Sequence, residues 1–129
     1  MAWEFSNEKP IYLQLSDQIV SGILTGAYPR GEKLPSVREF AVLAAVNPNT
    51  VSRALSELEG VGLIETQRNT GKYVTQEGER IEMARKQRGA SLAVDFLKSM
   101  AALGYTKNQT VSLLEEAWKE VQANERSDS

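Results

Sequence analysis

The segment from residue 47 to residue 64, NPNTVSRALSELEGVGLI, predicts a helix whose two faces differ in chemistry. At helical spacing, one face is apolar and carries Val51, Ala54, Leu55 and Leu58. The outward positions are Pro48, Asn49, Ser52, Arg53, Ser56 and Glu57. Near its N-terminus this outer face has small polar groups and one arginine, where an ordinary surface helix carries a mixture of Glu and Lys. Such a face can enter a groove; the alternative is a surface helix whose exposed side chains happen to be small.

Both ends of this helix are marked in the sequence. Asn47 can accept a backbone N–H bond as the N-cap, and Pro48 suits the first helical position because no amide donor is needed there. Gly60 or Gly62 can adopt the left-handed conformation that ends a helix.

A second, shorter helix is predicted directly upstream. Ser36 and Glu39 have the spacing of a capping box, which places the start of this helix at Ser36. Its apolar positions are Val37, Phe40, Ala41 and Ala44. Only a few residues separate Ala44 from Asn47, which is the connection length of a helix-turn-helix motif.

A supporting helix is predicted before this pair. It opens at Pro10, ends near Gly26, and is followed by turn residues at 27–35 with room for a brief strand. Its apolar positions recur every three or four residues, at Tyr12, Leu15, Ile19 and Ile23. Trp3 and Phe5 precede it as a hydrophobic anchor, against this helix or against a partner subunit.

After Gly62, the runs LIETQ and KYVT flank a polar tip at residues 68–71, which predicts a β-hairpin. Three helices followed by a two-stranded wing make a winged helix-turn-helix domain, which we assign to residues 1–76.

The remaining residues, 77–129, predict a helical region joined to this domain. The charged stretch 76–91 is either a linker or the exposed start of a long helix. The first of two helices ends at Gly104, and the second begins at a T-x-x-Q box formed by Thr106 and Gln109, with fraying expected from Ala123 onward. The fold class is therefore mainly α, a winged helix-turn-helix followed by a short two-helix hairpin.

The hairpin predicts a homodimer, because two helices alone cannot bury both of their apolar stripes. The stripes comprise Leu92, Phe96, Leu97, Met100, Leu103, Val111, Leu114, Trp118 and Val121. The alternative is that the hairpin folds back onto the winged domain of its own chain.

Composition excludes several classes of protein. The chain has no Cys and no His, which excludes disulfides, thiol nucleophiles, imidazole bases and the usual zinc sites. No pair of carboxylates, Lys or Ser stands on elements expected to meet in a cleft, so an enzyme is the poorest alternative, and we expect no cofactor. The sequence predicts neither a membrane span nor a signal peptide, so the cytoplasm is the expected compartment.

The charge balance argues against a nucleic-acid ligand. The net charge is −2, with 7 basic and 8 acidic residues up to Gln76 and 8 basic and 9 acidic residues after it. A positive surface must therefore come from the arrangement of Arg30, Lys33, Arg38, Arg53, Arg68 and Lys72. A winged-helix module used for protein contacts is the alternative that suits the acidic balance.

The sequence resembles the GntR family of bacterial transcription regulators, and its short helical tail resembles the YtrA subfamily. The matching text is PIYLQLSDQIVSGILTGAYPRGEKLPSVREFA, then NTVSRALSELEGVGLIETQ, then GKYV, which covers roughly residues 9–76. The resemblance implies a regulator, usually a repressor, that binds a palindromic double-stranded DNA operator as a homodimer. A small-molecule effector, if one acts, is expected to bind between subunits because the tail is too small for a large cavity.

The resemblance also implies which residues contact DNA: part of the second helix, the first turn of the third helix and the wing tip. These are Ser36, Arg38, Asn47, Asn49, Thr50, Ser52, Arg53, Arg68, Asn69, Thr70 and Lys72. Physical chemistry agrees, because Asn can bond bidentately to adenine and Arg to guanine. The sequence departs from many relatives at Pro48 and Ser52, so base preference is not carried over, and Arg53 is expected to take over part of the contact.

Overall fold

The computed structural model describes residues 3–127, which form five helices and one two-stranded antiparallel sheet. In chain order the elements are α1 (Ile11–Thr25), α2 (Val37–Ala44), α3 (Pro48–Gly60), β1 (Ile64–Gln67), β2 (Gly71–Val74), α4 (Gly78–Ala102) and α5 (Lys107–Ser127). They form two compact units, one extending to Lys86 and one from Gln87 onward. The predicted fold class is confirmed, while the domain boundary after residue 76 stays a prediction.

The capping residues form the bonds that the sequence predicts. In α2, the Glu39 amide donates to Ser36 Oγ at 3.1 Å, and the Ser36 amide donates to the Glu39 carboxylate at 3.0 Å. At the start of α3, Asn47 Oδ1 accepts from the Asn49 amide at 2.8 Å. Of the two glycines predicted to end α3, Gly62 takes the left-handed conformation, with φ of +81°. The helix-turn-helix thus has a defined start for each of its helices.

The core of the first unit lies between α3 and the two helices that precede it. The largest fully buried side chains are Phe40, Leu15, Ile19, Leu55, Val51 and Val74. The rings of Trp3 and Tyr28 each pack edge-on against Phe40, with 6.1 Å between ring centroids. The expected N-terminal anchor is therefore intramolecular, since Trp3 and Phe5 both pack against this core.

The wing has the predicted hairpin form. Its strands pair from Ile64 opposite Val74 to Gln67 opposite Gly71. The brief strand expected in the turn segment is a single bridge between Lys33 and Tyr73.

The C-terminal region contains two helices that are longer than the sequence suggests. α4 begins at Gly78, so the charged stretch is the start of a helix and not a linker. α5 continues to Ser127, so the prediction that the chain frays from Ala123 onward is wrong for residues 123–127. Residues 128 and 129 lie outside the described part of the chain. Arg126 lies in the last turn of α5, where a cation is favourable because it faces the negative end of the helix dipole. This is a physical reason for the helix to continue to Ser127.

The second unit leaves its apolar side chains exposed. α4 and α5 are joined by a turn with Gly104 at φ +89°. In the single chain Phe96 is 38% exposed and Trp118 is 63% exposed. None of the helices within residues 3–127 combines the length and apolar composition needed to cross a membrane.

Candidate DNA interface

The outer face of α3 is polar and exposed, while its inner face is buried in the core. Val51 and Leu55 are buried, whereas Asn49, Ser52 and Arg53 are exposed. Thr50 lies between the two faces and is half-buried. The helix therefore presents amide, hydroxyl and guanidinium groups to solvent along one side.

The first turn of α3 divides its polar groups between capping and free positions. The Asn47 side-chain oxygen is used by the Asn49 amide, which leaves the Asn47 side-chain NH₂ as its outward donor. The Asn49 side chain forms no hydrogen bond with any residue in the described part of the chain. Asn49 consequently has both the donor and the acceptor needed for the edge of an adenine base.

The guanidinium group of Arg53 stacks on an aromatic ring from another helix. Its central carbon lies 3.8 Å from the centroid of the Tyr12 ring, at the start of α1. Within residues 3–127, Arg53 and Glu57 form no ion pair, so the local pairing of these two residues is not adopted. The contact leaves the Arg53 side chain exposed and limits the directions in which it can point.

In α2, Arg38 is exposed and makes no ion pair or hydrogen bond within the described residues. The carboxylate next to it, Glu39, is directed back to the helix start. The pKa of Glu39 is held below its usual value chiefly by the hydrogen bond from the Ser36 backbone and next by the one with the Ser36 side chain. The charge of Lys33 makes a smaller contribution in the same direction. Ser36 thus has a structural role whether or not it also contacts DNA.

The tip of the wing is formed by three exposed polar residues. Asn69 adopts a left-handed conformation with φ of +68°, which the tight turn requires and which asparagine tolerates. The Thr70 hydroxyl turns inward and donates to the Gln67 carbonyl at 3.2 Å. Arg68 has no hydrogen-bond or ion-pair partner among residues 3–127, so its charge is available to a ligand.

Lys72 differs from the other predicted contact residues because its ammonium group is already engaged. It pairs with the Glu59 carboxylate in the last turn of α3 and donates to Thr66 Oγ1 at 2.8 Å. The Thr66 hydroxyl in turn donates to the same carboxylate. These two hydrogen bonds hold the pKa of Glu59 below its usual value, and the bond from Lys72 has the larger effect.

The residues predicted to contact DNA lie on the elements that the sequence assigned to them, but sequence reasoning missed the residues that contact Arg53 and Lys72. Tyr12 was assigned only to the apolar face of α1, and Glu59 and Thr66 had no assigned role. No local signal identifies these partners, because each contact joins elements whose relative orientation is set by the core. Within residues 3–127, no group of His, Cys, Asp and Glu side chains could hold a metal ion.

Comparisons with known proteins agree with this geometry. Residues 11–74 match the family model described as bacterial regulatory proteins, gntR family. The chain is 39% identical over 106 residues to an uncharacterized HTH-type transcriptional regulator, YhcF, of Bacillus subtilis, which covers 82% of this chain and 88% of YhcF. It is 49% identical over 67 residues to the HTH-type transcriptional repressor YtrA of Bacillus subtilis, covering 52% of each chain. Among solved structures, a GntR family transcriptional regulator from Listeria monocytogenes superposes with a TM-score of 0.84 and 40% identity, covering 87% of this chain and 98% of that chain.

Proposed function

Because this chain belongs to the GntR family of bacterial regulatory proteins, we propose that it represses transcription by binding a palindromic operator as a homodimer. The outer face of α3 enters the major groove and the wing tip reaches the neighbouring minor groove or phosphates. The contacts come from Ser36, Arg38, Asn47, Asn49, Thr50, Ser52, Arg53, Arg68, Asn69 and Thr70.

The observation that carries this proposal is the composition of the outer face of α3. An exposed helix face that holds Asn49, Ser52 and Arg53 and no acidic residue in its first two turns offers base-edge donors and acceptors without repelling phosphate. The side chains of Arg38 and Arg68, from α2 and the wing, are exposed and unpaired among the described residues, and they supply positive charge. Association with phosphate depends on such local charges more than on the net charge of the chain, which is −2.

The homodimer is supported by the second unit, where most of the predicted interface is exposed. Leu92, Leu97 and Trp118 are 66%, 51% and 63% exposed in the single chain. Burying side chains of this size is worth roughly 1.5 to 3 kcal/mol each, so their association is favourable. A two-fold dimer then requires two half-sites in inverted orientation, which is the symmetry of a palindromic operator.

The strongest competing function is a winged-helix module that binds another protein through the same surface. The two functions differ in their salt dependence, because a DNA-binding protein releases counterions from the phosphates that it neutralises. A log-linear loss of affinity with rising salt supports operator binding, and a nearly flat dependence contradicts it.

The experiment that tests the whole proposal is selection of bound sequences from a pool of random duplexes by the full-length protein. We expect an inverted repeat, bound by two chains per duplex when the complex is measured by sedimentation. Repression is then measured with a reporter gene placed behind the selected sequence. Failure to enrich any sequence, or enrichment of a single unpaired half-site, would contradict the proposal.

A further inference from the structure

We infer that Lys72 is a positioning residue: together with Glu59 and Thr66 it forms a clasp that fixes the angle of the wing relative to α3. This inference rests on the proposed function, in which α3 and the wing bind the same duplex at once. It assigns to Lys72 a role other than the DNA contact that the resemblance implies.

The clasp joins three separate elements at one point. Glu59 lies in the last turn of α3, Thr66 on β1 and Lys72 on β2. Thr66 and Lys72 are directly opposite each other in the antiparallel register, so their side chains emerge on the same face of the hairpin. A single carboxylate therefore holds both strands of the wing against the end of α3.

The hydrogen bonds within the clasp use most of the donors of its side chains, so few remain for a further ligand. The Lys72 ammonium bonds both Glu59 and the Thr66 hydroxyl, and the Thr66 hydroxyl also donates to Glu59. The Lys72 side chain is 27% exposed and the Glu59 side chain 34% exposed, which places the pair partly out of solvent. A phosphate contact by Lys72 would require this network to open and would bring the Glu59 carboxylate close to the phosphate.

The charge of Glu59 also needs a partner because of its position at the C-terminal end of α3. A negative side chain in the last turn of a helix faces the negative end of the helix dipole, which is unfavourable. Lys72 neutralises that charge, so the clasp compensates for an acid that would otherwise destabilise α3 and repel DNA. Among the described residues, the side chains of Glu65 and Arg68 in the hairpin form no hydrogen bond or ion pair with α3.

The test compares variants that remove one charge each in the full-length protein, using the selected duplex. Removing an acid beside a DNA interface ordinarily strengthens binding, but Glu59→Gln is expected to weaken it, by about three- to tenfold. Glu65→Gln is the matched control, because it removes an exposed wing carboxylate outside the clasp; its affinity should be unchanged or higher. Equal or tighter binding by Glu59→Gln would overturn the inference.

A salt titration then separates positioning from phosphate contact. Loss of one phosphate contact lowers the slope of log affinity against log salt by about one. Arg68→Gln should show that change, whereas Lys72→Gln should lose affinity with its slope unchanged. The double variant Glu59→Gln/Lys72→Gln should bind no more weakly than either single variant, because the clasp is already broken. A reduced slope for Lys72→Gln, or additive losses, would overturn the inference.

Hydrogen exchange of the free protein supplies a measurement that does not depend on DNA. Glu59→Gln and Lys72→Gln should each accelerate exchange of the backbone amides in residues 64–74, and Glu65→Gln should not. If no specific duplex is found for the unsubstituted protein, the proposed function fails while this measurement still decides whether the clasp holds the wing. Unchanged exchange in both clasp variants would show that it does not.

Discussion

The guanidinium carbon of Arg53 lies 3.8 Å from the centre of the Tyr12 ring, which links the exposed face of α3 to the first turn of α1. An arginine on a helix surface ordinarily samples many rotamers, and ordering it on binding costs free energy. The stack on Tyr12 restricts those rotamers before DNA arrives.

Replacing the Tyr12 ring should therefore weaken operator binding. We expect Tyr12→Leu to lose about 0.5 to 1 kcal/mol of binding free energy, the range for an exposed cation–π contact. Tyr12→Phe is the matched control and should bind like the unsubstituted protein, because the ring face is kept. Titration of the selected duplex by fluorescence anisotropy measures both, and equal affinity of the Leu and Phe variants would contradict the role given to the ring.

Arg38 provides the most direct test of the interface on α2. Since its guanidinium is exposed and unpaired within the described residues, Arg38→Ala should leave the fold intact and cost on the order of 1 to 3 kcal/mol in specific binding. The control is Lys98→Ala, which removes the same charge from an exposed position in the second unit. Full operator affinity in the Arg38 variant would remove this residue from the interface.

The core that supports the interface depends on Phe40. This ring is fully buried and contacts the rings of both Trp3 and Tyr28, so Phe40→Ala should destabilise the protein by about 3 to 5 kcal/mol. Val42 lies on the same helix but is 81% exposed, and Val42→Ala should change stability by about 0.5 kcal/mol or less. Urea unfolding of the two variants measures the difference, and similar midpoints would contradict this description of the core.

The order of elements and most of their ends could be predicted from the sequence because local chemistry determines them. The capping box at Ser36 and the left-handed residue Gly62 each act within one turn of the backbone. Helical periodicity likewise assigned Val51 and Leu55 to the buried face of α3.

The contacts of Arg53 and Lys72 could not be predicted in the same way. Periodicity shows which face of a helix a residue occupies, but it does not show which residue of another element lies opposite. Glu57 lies one turn from Arg53 on the same helix, but the packing of α1 on α3 places Tyr12 against the guanidinium group in its stead. For Lys72, strand register and the end of α3 together brought Glu59 within bonding reach.

Glu59 gives the stability of the protein a predictable dependence on pH. Its pKa is lowered in the folded state, chiefly by the Lys72 bond, so the unfolded chain binds more protons at acidic pH. The stabilisation is therefore fully present above the ordinary pKa of glutamate, about 4.3, and is lost as pH falls through the lowered value. The unfolding free energies of the unsubstituted protein and Glu59→Gln should differ by a constant amount near neutral pH and converge below that range. A difference that persists unchanged to pH about 2 would contradict the ion pair.

The proposed dimerisation through α4 and α5 predicts that polar substitutions there break the dimer without unfolding the chain. Leu114 and Trp118 are 47% and 63% exposed in the single chain, so a charge at either position costs the isolated subunit little. In a two-fold dimer each substitution occurs twice, and losing roughly 1.5 kcal/mol per buried side chain weakens association by about a hundredfold. We expect Leu114→Glu and Trp118→Glu to sediment as folded monomers at concentrations where the unsubstituted protein is dimeric, and to lose cooperative binding to the palindromic duplex.

Glu116→Lys, on the same helix, is the control and should remain dimeric. Dimers of unchanged stability in both apolar variants would place the association surface elsewhere.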